Sequence, residues 1–251
     1  MYCSTWMGFY WKKFYVIEAD ADIFVNRIRQ EKVWDTEKLY TEAIEDVAQR
    51  YGKHYTWDMK VQLMGSTAGD CNRKLLDLLQ LPIEPPELAT ELDKVYLKLF
   101  PTAELMPGAE RLVRHLHRHK IPFAIATSSK RSSFELKTSR HKELFALFHH
   151  ATLASDDPDI KHGKPAPDVF LVSARRFEEN PAPAQVLVFE DAPHGVEAAL
   201  AAGMQVVLVP DPRLDETSRS RATLCLASLT DFKPELFGLP PYVTFLLEGT
   251  Q

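Results

Sequence analysis

Glu190-Asp191 stands directly after Val186-Leu187-Val188-Phe189. That apolar run reads as a buried strand. In an open α/β sheet, ligands bind at the carboxyl ends of parallel strands. Adjacent carboxylates repel, so the pair makes most sense around a hard cation such as Mg²⁺. The plainer alternative is an Asp capping a helix beside an exposed Glu. Thr127-Ser128 follows another apolar run, Ile121–Ala126. Hydroxyls and backbone N–H groups at a helix start suit a phosphate, though a plain N-cap has the same composition. Lys164 lies in His162-Gly163-Lys164-Pro165-Ala166-Pro167-Asp168. The two prolines stiffen the loop, so the ammonium is presented and can offset phosphate charge. A lysine in a surface turn is the competing reading. A last candidate is Asp20-Ala21-Asp22, just past Phe14-Tyr15-Val16-Ile17.

These candidates need rigid elements to bring them together. Asp35-Thr36 offers an N-cap to a helix through about Tyr51, which Gly52 ends. Further helices are expected around Trp57–Met64, through Leu75–Leu79, and from Pro85-Pro86, where Leu88, Leu92, Val95 and Leu99 recur at helical spacing. Residues 36–100 thus read as a small all-helical domain. After Met106-Pro107-Gly108 a helix runs to His119. His115 and His119 can share a face there, but a solvated helix with a cationic end explains them more simply. Strands and helices then alternate, with strands expected at 121–126, 151–154, 186–190, 205–209 and 223–227. The fold class expected is α/β, a doubly wound parallel sheet with a small all-helical domain. The divisions are 1–34, a segment unlike the rest that offers a first core strand; 35–104, the helical domain; 105–241, the core; and 242–251, a C-terminal extension.

With 45% hydrophobic residues the chain can fill a sizeable core. A net charge of −5 argues against general nucleic-acid or membrane-surface binding. Cys3, Cys71 and Cys225 form no C-x-x-C pair, which fits a reducing, cytoplasmic setting. No apolar run has the length of a membrane span. Lys12-Lys13 interrupts the N-terminal aromatics, against a signal peptide.

A hydroxyl, a lysine and an acidic pair, in that order on alternating β and α units, are more specific together than apart. In this the chain resembles the haloacid dehalogenase superfamily of phosphotransferases. Thr127 matches its second motif, Lys164 its third and Glu190-Asp191 its fourth, and the helical block resembles its small cap. The likeness runs from about Asp35 to Tyr242, through Asp35-Thr36-Glu37-Lys38-Leu39-Tyr40, Leu105–Glu110, Ala126–Ser129, Lys137–Glu143 and Val188–Pro193.

The resemblance implies a two-step transfer. An Asp at the end of the first strand attacks phosphorus, and the Asp two residues on serves as acid and then base. It also implies Mg²⁺ on Asp191, with Glu190 a second ligand or the group behind it. Thr127 and Ser128 would hold phosphate oxygens, and Lys164 would steady the nucleophile and the phosphate. The expected partner is a small phosphorylated metabolite, and a monomer is expected. The sequence departs from the family in one place. There is no Asp-x-Asp-Gly: Ile23 follows Asp20-Ala21-Asp22, and the gap to Asp35 is too long. Two readings follow. Asp20 and Asp22 replace the missing pair, or the chain is a phosphatase-like variant without useful catalysis, either a phosphate- or partner-binding module or a poorly folded, non-functional form.

Overall fold

The computed structural model describes residues 14–18, 36–63 and 68–242. Its centre is a parallel sheet in the order β3-β2-β1-β4-β5-β6. The strands are β1 (Phe14–Glu18), β2 (Phe123–Thr127), β3 (Ala151–Leu153), β4 (Val186–Glu190), β5 (Gln205–Leu208) and β6 (Leu224–Cys225). Every pairing is parallel. The strand order reverses at β1, and a sheet that reverses opens a crevice at the carboxyl ends of the strands flanking that point. The fold class read from the sequence is the one observed.

β1 is central, paired with β2 on one side and β4 on the other. A central parallel strand must satisfy its backbone groups on both sides. The pairing takes in Glu18, level with Ala126, one residue beyond the expected run of 14–17. Asp20 and Asp22 lie outside the described residues.

Each face of the sheet carries its own apolar cluster. On one, α5 (Ala109–Arg118) packs Leu112, Val113 and Leu116 against Phe123, Leu187, Phe189 and Val207. On the other, α8 (Asp168–Arg175) and α9 (Pro193–Ala201) pack Val169, Phe170, Val196 and Ala199 against Ala124, Ala126, Val188 and Val206. Successive residues of β4 and β5 alternate between the two clusters, as the period of a strand requires. Both faces are covered, so Val186–Phe189 and Val206–Leu208 are unbroken apolar runs. Between β2 and β3 lie α6 (Arg131–Thr138) and the short α7 (Lys142–Phe145).

The strand limits that differ most from the expected ones are those of β2 and β6. Ile121 and Pro122 precede β2. The Ile121 N–H donates to Leu116 O and closes α5, and Pro122 has no N–H for the ladder. The edge strand β6 holds only Leu224–Cys225, because the Val206 N–H is accepted by the Thr223 hydroxyl and not by backbone. A short α10 (Glu216–Arg219) lies between β5 and β6.

The helices α1 (Thr36–Arg50), α2 (Trp57–Leu63), α3 (Ala68–Leu79) and α4 (Pro85–Leu99) share a third cluster built on Ala43, Val47, Leu75, Leu79, Leu88 and Leu92. This helical body sits over the carboxyl end of the sheet and touches the core from two sides. The Lys130 ammonium, in the loop after β2, donates to Asp93 of α4 at 2.8 Å. The Arg213 guanidinium, in the loop after β5, lies 3.8 Å from the centroid of the Trp57 ring on α2. No helix among the described residues is long and apolar enough to cross a membrane.

Candidate active site

The sheet register aligns the site before any side chain is considered. Ile17 of β1 is level with Ile125 of β2 and Phe189 of β4. Two residues further on each neighbour stand Thr127 and Asp191. They are at one height on either side of the β1 track, roughly 10 Å apart at two strand spacings. Both stand at the carboxyl end of the sheet, beside the point where the strand order reverses.

Glu190 ends β4 and is essentially inaccessible, at 1% exposure. Its Oε1 accepts from the Lys164 ammonium at 2.7 Å, and its Oε2 accepts from the backbone N–H groups of Asp191 and Ala192, each at 2.8 Å. The carboxylate therefore rests at the start of α9, where the helix dipole favours a negative charge. Gly195 in the first turn makes this seat. A Cβ there would lie 1.7 Å from Glu190 Oε1, inside contact distance. The sequence does not single out Gly195. The signal it offered was a glycine within the first turn of an otherwise Ala-rich helix.

Lys164 arrives from a loop pinned by Asp168, the first residue of α8. Asp168 Oδ2 accepts from the N–H groups of Lys161 and His162 at 3.1 and 3.0 Å. Burial works against ionisation of Asp168, but these backbone donors and the nearby His162 hold its carboxyl below the usual range. The loop turns through a cis Lys164–Pro165 peptide. The ammonium is buried and lies 5.0 Å from the centroid of the Phe170 ring. It is thus fixed between a carboxylate and an aromatic face.

Thr127 closes β2 and is fully buried. Its Oγ1 accepts from the Ser129 N–H at 3.1 Å, the turn that starts the loop into α6. The Ser128 carbonyl accepts from the Ser155 hydroxyl at 2.6 Å, which anchors the same loop to the end of β3. Asp191 is buried beside Glu190. The structure brings Thr127, Ser128, Lys164, Glu190 and Asp191 to one end of the sheet. Glu18 is the last residue of β1 at that end.

His115 and His119 are not brought to this end. They lie on α5, where His115 Nε2 faces the Pro240 carbonyl at 2.9 Å and its ring lies 4.7 Å from that of Tyr242. Among the described residues no group of three or more His, Cys, Asp or Glu could hold a metal.

A parallel sheet reversing at its centre, a helical body over the reversal, and hydroxyl, lysine and acidic pair at the strand ends together define a class. The chain belongs to the haloacid dehalogenase-like hydrolases, whose family profile matches residues 22–203. Among curated relatives it is 51% identical over 208 residues to the probable pseudouridine-5'-phosphatase of Drosophila melanogaster, covering 83% of this chain and 90% of that protein. It is 48% identical over 211 residues to (DL)-glycerol-3-phosphatase 2 of Arabidopsis thaliana, covering 83% and 88%. The fold matches the crystal structure of β-phosphoglucomutase from Clostridium difficile with a TM-score of 0.71 at 21% identity, covering 89% of this chain and 94% of that one.

Proposed function

We propose that this chain is a Mg²⁺-dependent phosphomonoesterase for a small phosphorylated metabolite, with pseudouridine 5'-phosphate as the first candidate, acting in a cytoplasmic setting. The observation that carries the reading is the buried Lys164–Glu190 pair at the end of β4, beside Asp191. The relative with half its aligned residues identical supports the choice of substrate.

In this reading the Lys164 ammonium and the hydroxyls of Thr127 and Ser128 hold the phosphate oxygens. A carboxylate oxygen of Asp20 bonds to phosphorus as the ester P–O bond breaks, and Asp22 gives its proton to the leaving alcohol. Asp22, now ionised, takes a proton from water, whose oxygen attacks phosphorus. Inorganic phosphate leaves and the Asp20 carboxylate is restored. Asp20 is assigned by chain order, following β1. The helical body excludes water and selects the alcohol.

The donors suit Mg²⁺. Asp191 and Glu190 offer only hard oxygens, and Mg²⁺ keeps several waters when a protein supplies one or two carboxylates. Glu190 already accepts three hydrogen bonds, so Asp191 is the better ligand and Glu190 the group behind it. When bound, the ion would neutralise phosphate charge and polarise the scissile bond.

One observation favours a second reading, a phosphate-binding module with little turnover: no Asp-x-Asp-Gly occurs in the chain. Phosphate release from a panel of small phosphomonoesters, with and without Mg²⁺, separates the two. Release that needs the ion supports the esterase. Joint binding of Mg²⁺ and phosphate without release supports the module.

A further inference from the structure

Lys137 opens one of the stretches that carry the resemblance, but it matches none of the second, third and fourth motifs. It lies on α6 and is among the largest fully buried side chains of the protein, at 1% exposure. Its ammonium donates to Ser129 Oγ at 2.6 Å and to the Tyr40 hydroxyl at 3.3 Å. The same nitrogen lies 5.2 Å from the centroid of the Tyr40 ring and 5.6 Å from that of Phe100. Tyr40 belongs to α1, where the chain enters the helical body. Phe100 follows α4, where the chain leaves it. The Tyr96 and Phe100 rings stack at 4.4 Å, and Tyr40 meets Phe100 edge-on at 5.1 Å. One buried cation therefore touches both connections of the cap and the loop that begins at Thr127.

The direction of the hydrogen bonds along this path is fixed by chemistry. An ammonium only donates, so Ser129 Oγ accepts from Lys137 and turns its own hydrogen elsewhere. The Ser129 N–H donates to Thr127 Oγ1, so Thr127 Oγ1 accepts here and keeps its own hydrogen to donate. A donor is what a phosphate oxygen requires. The dry surroundings strengthen the ammonium's field at the loop, because the local dielectric is low and aromatic faces attract cations.

We propose that Lys137 is a positioning residue for phosphate binding, acting through Ser129 on Thr127, and that it locks this loop to the two connections of the cap. The inference rests on the reading that this end of the sheet takes a phosphomonoester. It adds a residue outside the motifs, and a physical link between cap position and phosphate affinity.

The test is calorimetric titration of the full chain with inorganic phosphate in the presence of Mg²⁺, with thermal melting as a check on folding. Lys137→Met is expected to weaken phosphate binding about tenfold, the effect of about 1.4 kcal/mol. Lys137→Arg should stay within about threefold of the parent, since the charge and a donor remain. Ser129→Ala should weaken binding by a similar factor to Lys137→Met, and the double variant no further than the worse single one, as members of one path are non-additive. Should Lys137→Met fail to fold, Ser129→Ala removes only a hydroxyl and carries the same expectation. Unchanged phosphate affinity in folded Lys137→Met or in Ser129→Ala, against a parent that binds, overturns the inference alone. A parent that binds no phosphate overturns the reading of the site and this inference with it.

Discussion

The Lys164 ammonium lies 2.7 Å from Glu190 Oε1 with both side chains almost wholly out of solvent. A buried ion pair is costly to form, so it is weak evidence for stability; breaking it strands a charge. Glu190→Gln keeps the shape and removes the charge. We expect it to destabilise the protein by about 3–5 kcal/mol. Combined with Lys164→Met, the cost should be less than the sum of the two single changes. Urea denaturation of the three variants checks this, and strictly additive losses would count against the coupling.

Gly195 is predicted to be intolerant of a single methyl group. The Glu190 carboxylate that a Cβ would strike is held by three hydrogen bonds and cannot swing away cheaply. Gly195→Ala should cost about 1–3 kcal/mol, the usual range for overpacking. It should also weaken phosphate binding by displacing Lys164. A variant as stable as the parent, with phosphate binding intact, would contradict the seat described for Glu190.

The helical body is held down by Trp57 against Arg213. The guanidinium is oriented by Asp211, whose carboxylate accepts from Arg213 Nε at 2.9 Å and from its Nη2 at 2.6 Å. Burial opposes the charge on Asp211, yet the Arg213 side chain and backbone hold its carboxyl below the usual range. Trp57→Ala removes the ring and a cation–π contact of about 0.5–1 kcal/mol. KM for the phosphomonoester should rise roughly three- to tenfold with a smaller change in kcat. A fall in kcat at constant KM would place Trp57 outside substrate binding.

The stability of the fold is predicted to fall in mild acid. Burial, with the neighbouring His149 adding to it, lowers the pKa of His150 from 6.5 to about 4. Its Nε2 lies 3.0 Å from the Ser173 carbonyl, and its ring packs on Phe177. Between these pH values the unfolded chain binds a proton that the folded chain refuses, so stability rises with pH through the window. It is therefore lost as pH falls from 6.5 toward 4. Melting curves at pH 7.5, 6, 5 and 4 should show the drop, and His150→Gln should flatten it. A slope unchanged in that variant would assign the acid sensitivity elsewhere.

The nucleophile can be located by a pair of substitutions. The sequence nominates Asp20, and the strand register brings forward Glu18, the last residue of β1. If Asp20 attacks phosphorus, Asp20→Asn abolishes release, a loss of up to roughly a million-fold by analogy with hydrolase knock-outs. Glu18→Gln then leaves most of the turnover. The reverse pattern would move the covalent step to Glu18.

The sequence made the sheet legible because its strands are buried on both faces. Continuous runs such as Val186–Phe189 then stand out, as do the polar residues that end them. Thr127, Lys164 and Asp191 were legible for the same reason: each sits where an apolar run or a proline-stiffened loop stops. Gly195 was not, since its role lies in the space left for Glu190, which composition does not carry. Lys137 was hidden by its type. A lysine on a short helix reads as solvated, and only the tertiary contacts with Tyr40, Phe100 and Ser129 bury it. The aromatic segment at Phe14–Ile17 was legible as a strand, but its central place depended on pairing with β2 and β4, residues more than a hundred positions away.

The central claim is that a phosphomonoester is hydrolysed where β2 and β4 flank the end of β1. It is tested most directly by the Mg²⁺-dependent release of inorganic phosphate from pseudouridine 5'-phosphate and other small phosphomonoesters, with Asp191→Asn as the control. The account predicts slow release that requires Mg²⁺ and is lost in Asp191→Asn. No release from any ester, or release that Asp191→Asn leaves intact, would contradict it.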